Sequence, residues 1–324
     1  MKPLVSVIVP TYNCRRFIRE CLDSIVAQSY ENFEAIIVDD ASTDATFDWL
    51  SGKLPDSRFR LHKQEHNQGA SVARNTGVRM ASGDLIALVD ADDLLLPGHL
   101  ATVVEKFKKM PDVGLVCCDS KLIGPAGETL HAGKTWHEIQ CLIKGYTLQT
   151  GRRALADVFQ FSHCFTGFAI RRSVYEAVGG LDQTIFPLDD YDFMLRVAGR
   201  GYGVFYVDEV LALRRDHDAN WSGLSHSVKV GQMKLRSLEQ ALRANPELRG
   251  LGRVIPRRFA EVYGEMAISY LYERRWGQAI SALVRAARLD PSRLVNITKI
   301  GLSGVGRRAR RLSTWAATGS TRRQ

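Results

Sequence analysis

Along residues 1–120, apolar positions fall into short dense runs separated by stripes at helical spacing. Residues 4–9, 33–38, 85–89 and 113–118 are nearly all apolar and too short for helices, which predicts strands buried on both faces. Residues 59–62 suit a further strand. Between the runs, Phe17, Ile18, Cys21, Leu22, Ile25 and Val26 form a helical stripe that Asn13 is placed to cap. Ser42-Thr43-Asp44 can cap a short helix through Leu50. Asn67-Gln68-Gly69 reads as a turn, 70–81 as a helix ended by Ser82-Gly83, and Pro97-Gly98 opens a helix to Met110. This alternation predicts a mainly parallel sheet with helices on both faces.

Beyond residue 120 the pattern loosens. Gly124-Pro125-Ala126-Gly127 is a turn, and 131–151 shows no clear period and reads as loops over a substrate. Strands are expected at 165–170, 204–207 and 210–213, a helical turn at 173–178 before Gly179-Gly180, and a helix at 191–198. From Ser225 the pattern is all-helical. Ala260, Tyr263, Ala267, Tyr270 and Leu271 make one stripe; Trp276, Ala279, Ile280, Leu283 and Ala286 make the next, closed by Leu289-Asp290-Pro291. This pair resembles a single tetratricopeptide-type hairpin, which cannot bury its face alone and is expected to pack as a cap on the sheet domain. The expected division is 1–222 as an α/β domain, 223–302 as a helical extension, and 303–324 as a basic, disordered tail.

Charge sharpens this division. The net charge is +9, yet residues 251–324 hold 15 Lys/Arg against 4 Asp/Glu, so the first 250 residues are slightly acidic. A basic end suits an anionic surface, and a solvated tail without a partner is the competing reading. The six cysteines include no Cys-x-x-Cys pair and suit reduced thiols in a cytosolic protein. No apolar run reaches bilayer length, and residues 4–9 followed by Pro10 are too short for a signal peptide.

Candidate chemistry sits at the ends of two strands. Ile36-Ile37-Val38 runs into Asp39-Asp40, and Leu88-Val89 into Asp90-Ala91-Asp92. Open α/β sheets bind ligands at the carboxyl ends of their strands. Two acids one residue apart can hold a divalent cation through oxygen ligands, and that cation can neutralise a diphosphate. An enzyme acting on a nucleotide diphosphate follows.

Five motifs carry a more specific resemblance. Val7-Ile8-Val9-Pro10-Thr11-Tyr12-Asn13, Val38-Asp39-Asp40-Ala41-Ser42-Thr43-Asp44, Ala73-Arg74-Asn75, Asp90-Ala91-Asp92-Asp93 and Asp189-Asp190-Tyr191-Asp192 occur in the order seen in family-2 inverting glycosyltransferases of the GT-A fold. The resemblance covers roughly residues 4–220. It implies the GT-A nucleotide-diphospho-sugar transferase fold, a Rossmann-like, mainly parallel sheet, followed here by the α-helical extension. It implies that Asp40 accepts from the uracil ring, that Tyr12, after Pro10, packs on the base, and that Arg74 stands near the nucleotide. Asp92, and Asp90 directly or through water or ribose, would hold Mn²⁺ or Mg²⁺. Asp190 would be the general base; the family usually has Glu before it, so Asp189 is a mild departure. His217, in Arg214-Arg215-Asp216-His217-Asp218, would close over the metal and diphosphate, and both arginines could meet phosphate. Structural roles are expected for Asp39, for Asp192 as a helix-face acid, and for Asp93 as a helix cap.

The implied activity is metal-assisted, inverting transfer from a nucleotide-diphosphate sugar, most simply a UDP-sugar, to a hydroxyl of a glycan or lipid-linked acceptor. The expected setting is cytoplasmic, with peripheral contact at the inner face of the cell membrane through the basic tail and no nucleic-acid partner. A sugar nucleotidyltransferase would need a Gly-rich basic loop after the first strand, where this chain has Pro10-Thr11-Tyr12-Asn13. An inactive scaffold binding partners through its helical end would have no need of Asp40, Asp92 and Asp190 together.

Overall fold

The computed structural model describes residues 2–144, 147, 150–160, 167–218 and 227–293. Its strands are β1 (Val5–Thr11), β2 (Phe33–Asp39), β3 (Phe59–Lys63), β4 (Leu85–Leu88), β5 (Leu94–Leu95), β6 (Val113–Ile123), β7 (Gly151–Arg153), β8 (Phe168–Arg171) and β9 (Gly203–Arg215). Its α-helices are α1 (Ile18–Val26), α2 (Thr46–Ser51), α3 (Ala70–Met80), α4 (His99–Lys109), α5 (Trp136–Lys144), α6 (Leu155–Gln160), α7 (Arg172–Ala177), α8 (Asp189–Gly199), α9 (Ser227–Ala244), α10 (Val254–Tyr272) and α11 (Trp276–Leu289).

All these strands join one sheet in the order β3-β2-β1-β4-β8-β6-β9-β5, with β7 also on β9. The β3-β2-β1-β4 half is parallel, as is β6 with β9. The sheet is mainly parallel, as the sequence predicted, with β8 running antiparallel to both β4 and β6 between its two parallel parts. The dense apolar runs are explained by burial on both sides. Val5, Val7 and Val9 of β1 enter one core with Cys21, Leu22 and Ile25 of α1, while Ile8 enters the other with Ala73 and Val78 of α3.

Several expectations need correction. Asn13 does not cap α1, which starts after Phe17 without a side-chain cap. Its side chain instead accepts the Thr43 N–H at 2.7 Å, while Ser42 Oγ accepts the Asn13 N–H at 2.9 Å, joining the β1 and β2 loops. The two short strands expected at 204–207 and 210–213 are one strand, β9, with exposed Asp208 and Glu209 forming the break in apolar pattern; the register against β6 shifts there. α5 lies in the stretch expected as loops, and α6, with its buried Val158 and Phe159, in residues to which the sequence assigned no element. Of the strand expected at 165–170, residues 165 and 166 lie outside the described residues, as does the whole tail 303–324.

The helical extension is not separated from the sheet's core. Val228, Leu238 and Ala241 of α9 and Val262, Met266 and Ala267 of α10 belong to the same hydrophobic cluster as Ile8 and Phe168. α11 adds only its small residues, Ala279, Ala282 and Ala286, to buried positions.

Candidate active site

The ends of β1, β2 and β4 lie side by side, because Thr11 pairs with Asp39 and Ile8 with Leu88. Pro10 interrupts nothing: the β1–β4 ladder has already ended at Ile8–Leu88, so no bond is lost for want of an N–H. Tyr12, just beyond, is 46% exposed and presents an open ring. Asp39 is fully buried, with Oδ1 accepting the Ser42 N–H at 2.9 Å. Asp40 is also buried. Its Oδ1 accepts from Gln64 Nε2 and from the Gln68 N–H at 2.8 Å, and Oδ2 accepts the Gly69 N–H at 2.7 Å. Those amides sit at the start of α3, where Gly69 takes φ +92°, a conformation glycine adopts without strain. Asp40 thus anchors the helix that carries Arg74. Gly77 lets that helix lie against β1, since a Cβ there would stand 2.5 Å from Ile8 Cγ2.

Arg74 is buried and bridges two acids. Nη2 donates to Asp90 Oδ1 at 2.6 Å and Nη1 to Asp189 Oδ2 at 3.0 Å. Ser71, one turn earlier, donates to the same Asp189 oxygen at 2.7 Å. Burial opposes the guanidinium charge, but Asp90 and Asp189 outweigh it and push its pKa up. Asn75 extends the tie: its side chain donates to Leu181 O and accepts the Leu181 N–H, both at 3.0 Å. The Ala73-Arg74-Asn75 motif therefore fastens the segment leading into α8. Replacing Arg74 by Met should cost about 3 kcal/mol of folding stability in denaturant titration, because Asp189 would stay buried without its cation.

With Asp189 held by Arg74 and Ser71, the second acid stands differently. Asp190 is half-buried and makes no ion pair among the described residues; its Oδ1 accepts the Tyr191 N–H at 2.6 Å. Burial, and then the neighbouring Asp189, push its carboxyl up to about 8. Asp192 pairs with Arg196 at 2.7 Å one turn on, a helix-face acid.

The acids after β4 converge. One oxygen each of Asp90, Asp92 and Asp93 lies within 4.8 Å of the others, and His217 Nε2 stands 2.8 Å from Asp92 Oδ2. The carboxylates are hard oxygen ligands that fit Mn²⁺ or Mg²⁺, with positions left for phosphate oxygens. Asp93 caps no helix, contrary to expectation: β5 follows it, and its Oδ1 accepts the Arg215 N–H at 2.8 Å. Arg215 corrects another expectation. Its guanidinium is buried, pairs with Glu20 at 2.7 Å and donates to Asp92 O at 3.0 Å, so it fixes the loop from inside and does not face a phosphate. Arg214 lies over the Trp136 ring at 4.9 Å and near enough to Asp190 to lower its pKa. Glu20 and Ser71 gave no signal in the sequence, since their partners lie 195 and 118 residues away.

The profile of glycosyl transferase family 2 matches residues 6–179, and the chain belongs to this family. An uncharacterized glycosyltransferase from Haemophilus influenzae is 30% identical over 194 residues, 60% of this chain and 62% of that protein. The matched part is thus less than two thirds of that relative, and it is 36% of a Streptococcus pneumoniae relative, glycosyltransferase GlyG, that is 36% identical over 110 residues, 34% of this chain. Among solved structures, a mannosyltransferase from Pyrobaculum calidifontis in complex with GDP-Man and Mn²⁺ has a TM-score of 0.60 at 23% identity, covering 89% of this chain and 86% of that one. At this identity the likeness concerns the fold, which is GT-A with added C-terminal helices.

Proposed function

We propose that the protein is an inverting glycosyltransferase that moves a sugar from a nucleotide-diphosphate donor, most simply a UDP-sugar, to a hydroxyl of a glycan or lipid-linked acceptor. The observation that carries this reading is the Arg74 bridge, which joins Asp90 of the acidic cluster to Asp189, the neighbour of Asp190. It couples the place where a diphosphate would leave to the place where a hydroxyl would be activated.

The roles divide as follows. Tyr12 offers a ring face to the base beside Pro10. Three of about four acceptor positions on Asp40 are taken by Gln64, Gln68 and Gly69, and the remaining one suits a ring N–H. Asp92, Asp90 and His217 would hold the cation, which supplies Lewis-acid neutralisation of the leaving diphosphate. Asp190 removes the proton from the acceptor hydroxyl as that oxygen attacks the anomeric carbon opposite the diphosphate, which inverts it. Arg74 keeps Asp189 paired, so Asp190 is left as the acid of the pair without an ion pair among the described residues, with Arg74 and Arg214 acting on it only from a distance. The setting proposed is the cytoplasmic face of a membrane, where the basic stretch 303–324 would meet anionic lipid.

The test is a panel of UDP- and GDP-sugars with Mn²⁺ or Mg²⁺, read by donor turnover and thermal shift. Cation-dependent stabilisation by one nucleotide class is expected. No shift with any nucleotide, with or without cation, would leave a scaffold as the better reading.

The acidic limb of the pH profile gives a second check. Asp190 must be ionised to act, so kcat/KM should rise tenfold per pH unit up to about 8 and then level. Stability runs the other way. An acid whose folded pKa lies above its unfolded value contributes most below that unfolded value, and the contribution is lost as pH rises through about 8.

A further inference from the structure

The last helical hairpin exposes more large apolar side chains than the rest of the described surface. On α11, Trp276 is 62%, Ile280 61% and Val284 43% exposed. They recur every fourth residue and so form one stripe. At roughly 100° per residue, this stripe is distinct from the Ala279, Ala282 and Ala286 face that packs inward. On the side away from that inward face, Arg288 falls next to Val284, with Arg285 beyond it, and α11 contains no Asp or Glu. The chain then continues into residues 294–324, which hold seven Lys/Arg and no Asp/Glu in sequence.

An exposed Trp, Ile and Val stripe, flanked by arginines and followed by a wholly cationic segment, matches the chemistry of an anionic bilayer surface. Apolar side chains enter the acyl boundary, the indole sits at headgroup level, and guanidinium groups meet lipid phosphates. A protein partner of similar shape would need carboxylates facing Arg285 and Arg288, and α11 supplies none for pairing with a second copy of itself. No helix among the described residues is long and apolar enough to cross a membrane, so the contact is peripheral.

We propose that the outer face of α11 is a membrane-docking surface that lays Trp276, Ile280 and Val284 into an anionic lipid interface. The inference stands apart from the sugar-transfer reading, since it uses none of the site's residues.

The test is co-sedimentation of the full chain with phosphatidylcholine vesicles, with and without phosphatidylglycerol. The proteins are wild type, Trp276→Ser with Ile280→Ser, and Arg285→Gln with Arg288→Gln. Wild type should bind the anionic vesicles, and less so at high salt. The apolar double variant should partition at least about tenfold less, and the arginine variant about fivefold less per charge removed. The apolar variant should melt at the wild-type temperature, because Trp276 and Ile280 are exposed; Arg285→Gln also gives up a contact with Tyr263 of α10, so melting is judged on the apolar variant alone. Binding of the apolar variant equal to wild type would assign any contact to residues 294–324 alone and overturn the proposal. A wild type that ignores anionic vesicles would overturn it, as would a lower melting temperature, which would mean that the chain's own segment covers the stripe. A wild-type dimer made monomeric by Trp276→Ser and Ile280→Ser, with vesicle binding unchanged, would give the face to a second copy.

Discussion

Asp190→Asn should lower turnover on the true acceptor by about 10²–10⁴-fold while leaving donor affinity nearly unchanged. Asn keeps the size of the side chain and can still receive the Tyr191 N–H on its amide oxygen, as Asp190 Oδ1 does at 2.6 Å. What it loses is the ability to take a proton. The environment explains why this position suits a base. Burial and Asp189 push Asp190 up to about 8, near an ordinary operating pH, where basicity and ionised fraction are both useful. The variant should also lose the rising limb of the pH profile, a readout that a merely misplaced acceptor would not give.

The same substitution at Asp189 should behave differently. Asp189 is buried and bound by Arg74 and Ser71, so Asp189→Asn weakens a clamp and leaves Arg74 partly uncompensated. Stability should fall with activity, whereas Asp190→Asn should hold or slightly raise stability above neutral pH, because a half-buried acid without an ion pair disappears. Turnover that stays near wild type in Asp190→Asn, with the pH limb intact, would move the base to another acid.

The parts of the fold that were legible are those whose residues answer to a periodic surface. β1, β2 and β4 are packed on both faces, and their apolar runs are the direct trace of that. α3 was legible from the Asn67-Gln68-Gly69 turn, because the positive φ at Gly69 favours few other residues. β8 was legible as a strand but not in direction, since its side chains face the same cores either way. α6 was missed because six residues are too few to establish a period, whereas α5 does carry a helical apolar spacing, at Trp136, Ile139 and Ile143, that was passed over. In the candidate site, the strand-end acids were visible because they interrupt apolar runs. The bridge from Arg74 to Asp189 was not, because it spans 115 residues and only tertiary packing brings the two together. Arg215 was misread for a related reason: a charged residue at the end of a strand gives no sign that its guanidinium turns inward to Glu20.

The remaining large effect concerns Asp92. Asp92→Ala should weaken UDP binding in Mn²⁺ by about two orders of magnitude or more, to the level seen for the wild type in chelator. The side chain is placed for this role by its surroundings. Arg215 fixes its backbone carbonyl at 3.0 Å, Asp90 and Asp93 bring oxygens within 4.8 Å, and His217 Nε2 lies 2.8 Å from Oδ2. Without a cation, a diphosphate entering this cluster meets carboxylates of its own sign, and like charges a few ångströms apart cost several kcal/mol in a partly buried site. Asp92→Ala removes one negative charge as well as one ligand, so two outcomes separate cleanly. If the acids serve only as a repulsive gate, the variant binds UDP more tightly in chelator and as well as before in Mn²⁺. If they hold the cation, UDP binding no longer responds to Mn²⁺. His217→Ala should move in the same direction by a smaller factor, about 10–100-fold, as expected for a supporting ligand. The fold should survive both changes, since Arg215, Glu20 and Arg74 hold the loop through groups other than these side chains. Calorimetric titration with UDP across Mn²⁺ concentrations, paired with thermal melts, measures each of these quantities. An unchanged Mn²⁺ response in Asp92→Ala would remove the cation from this site.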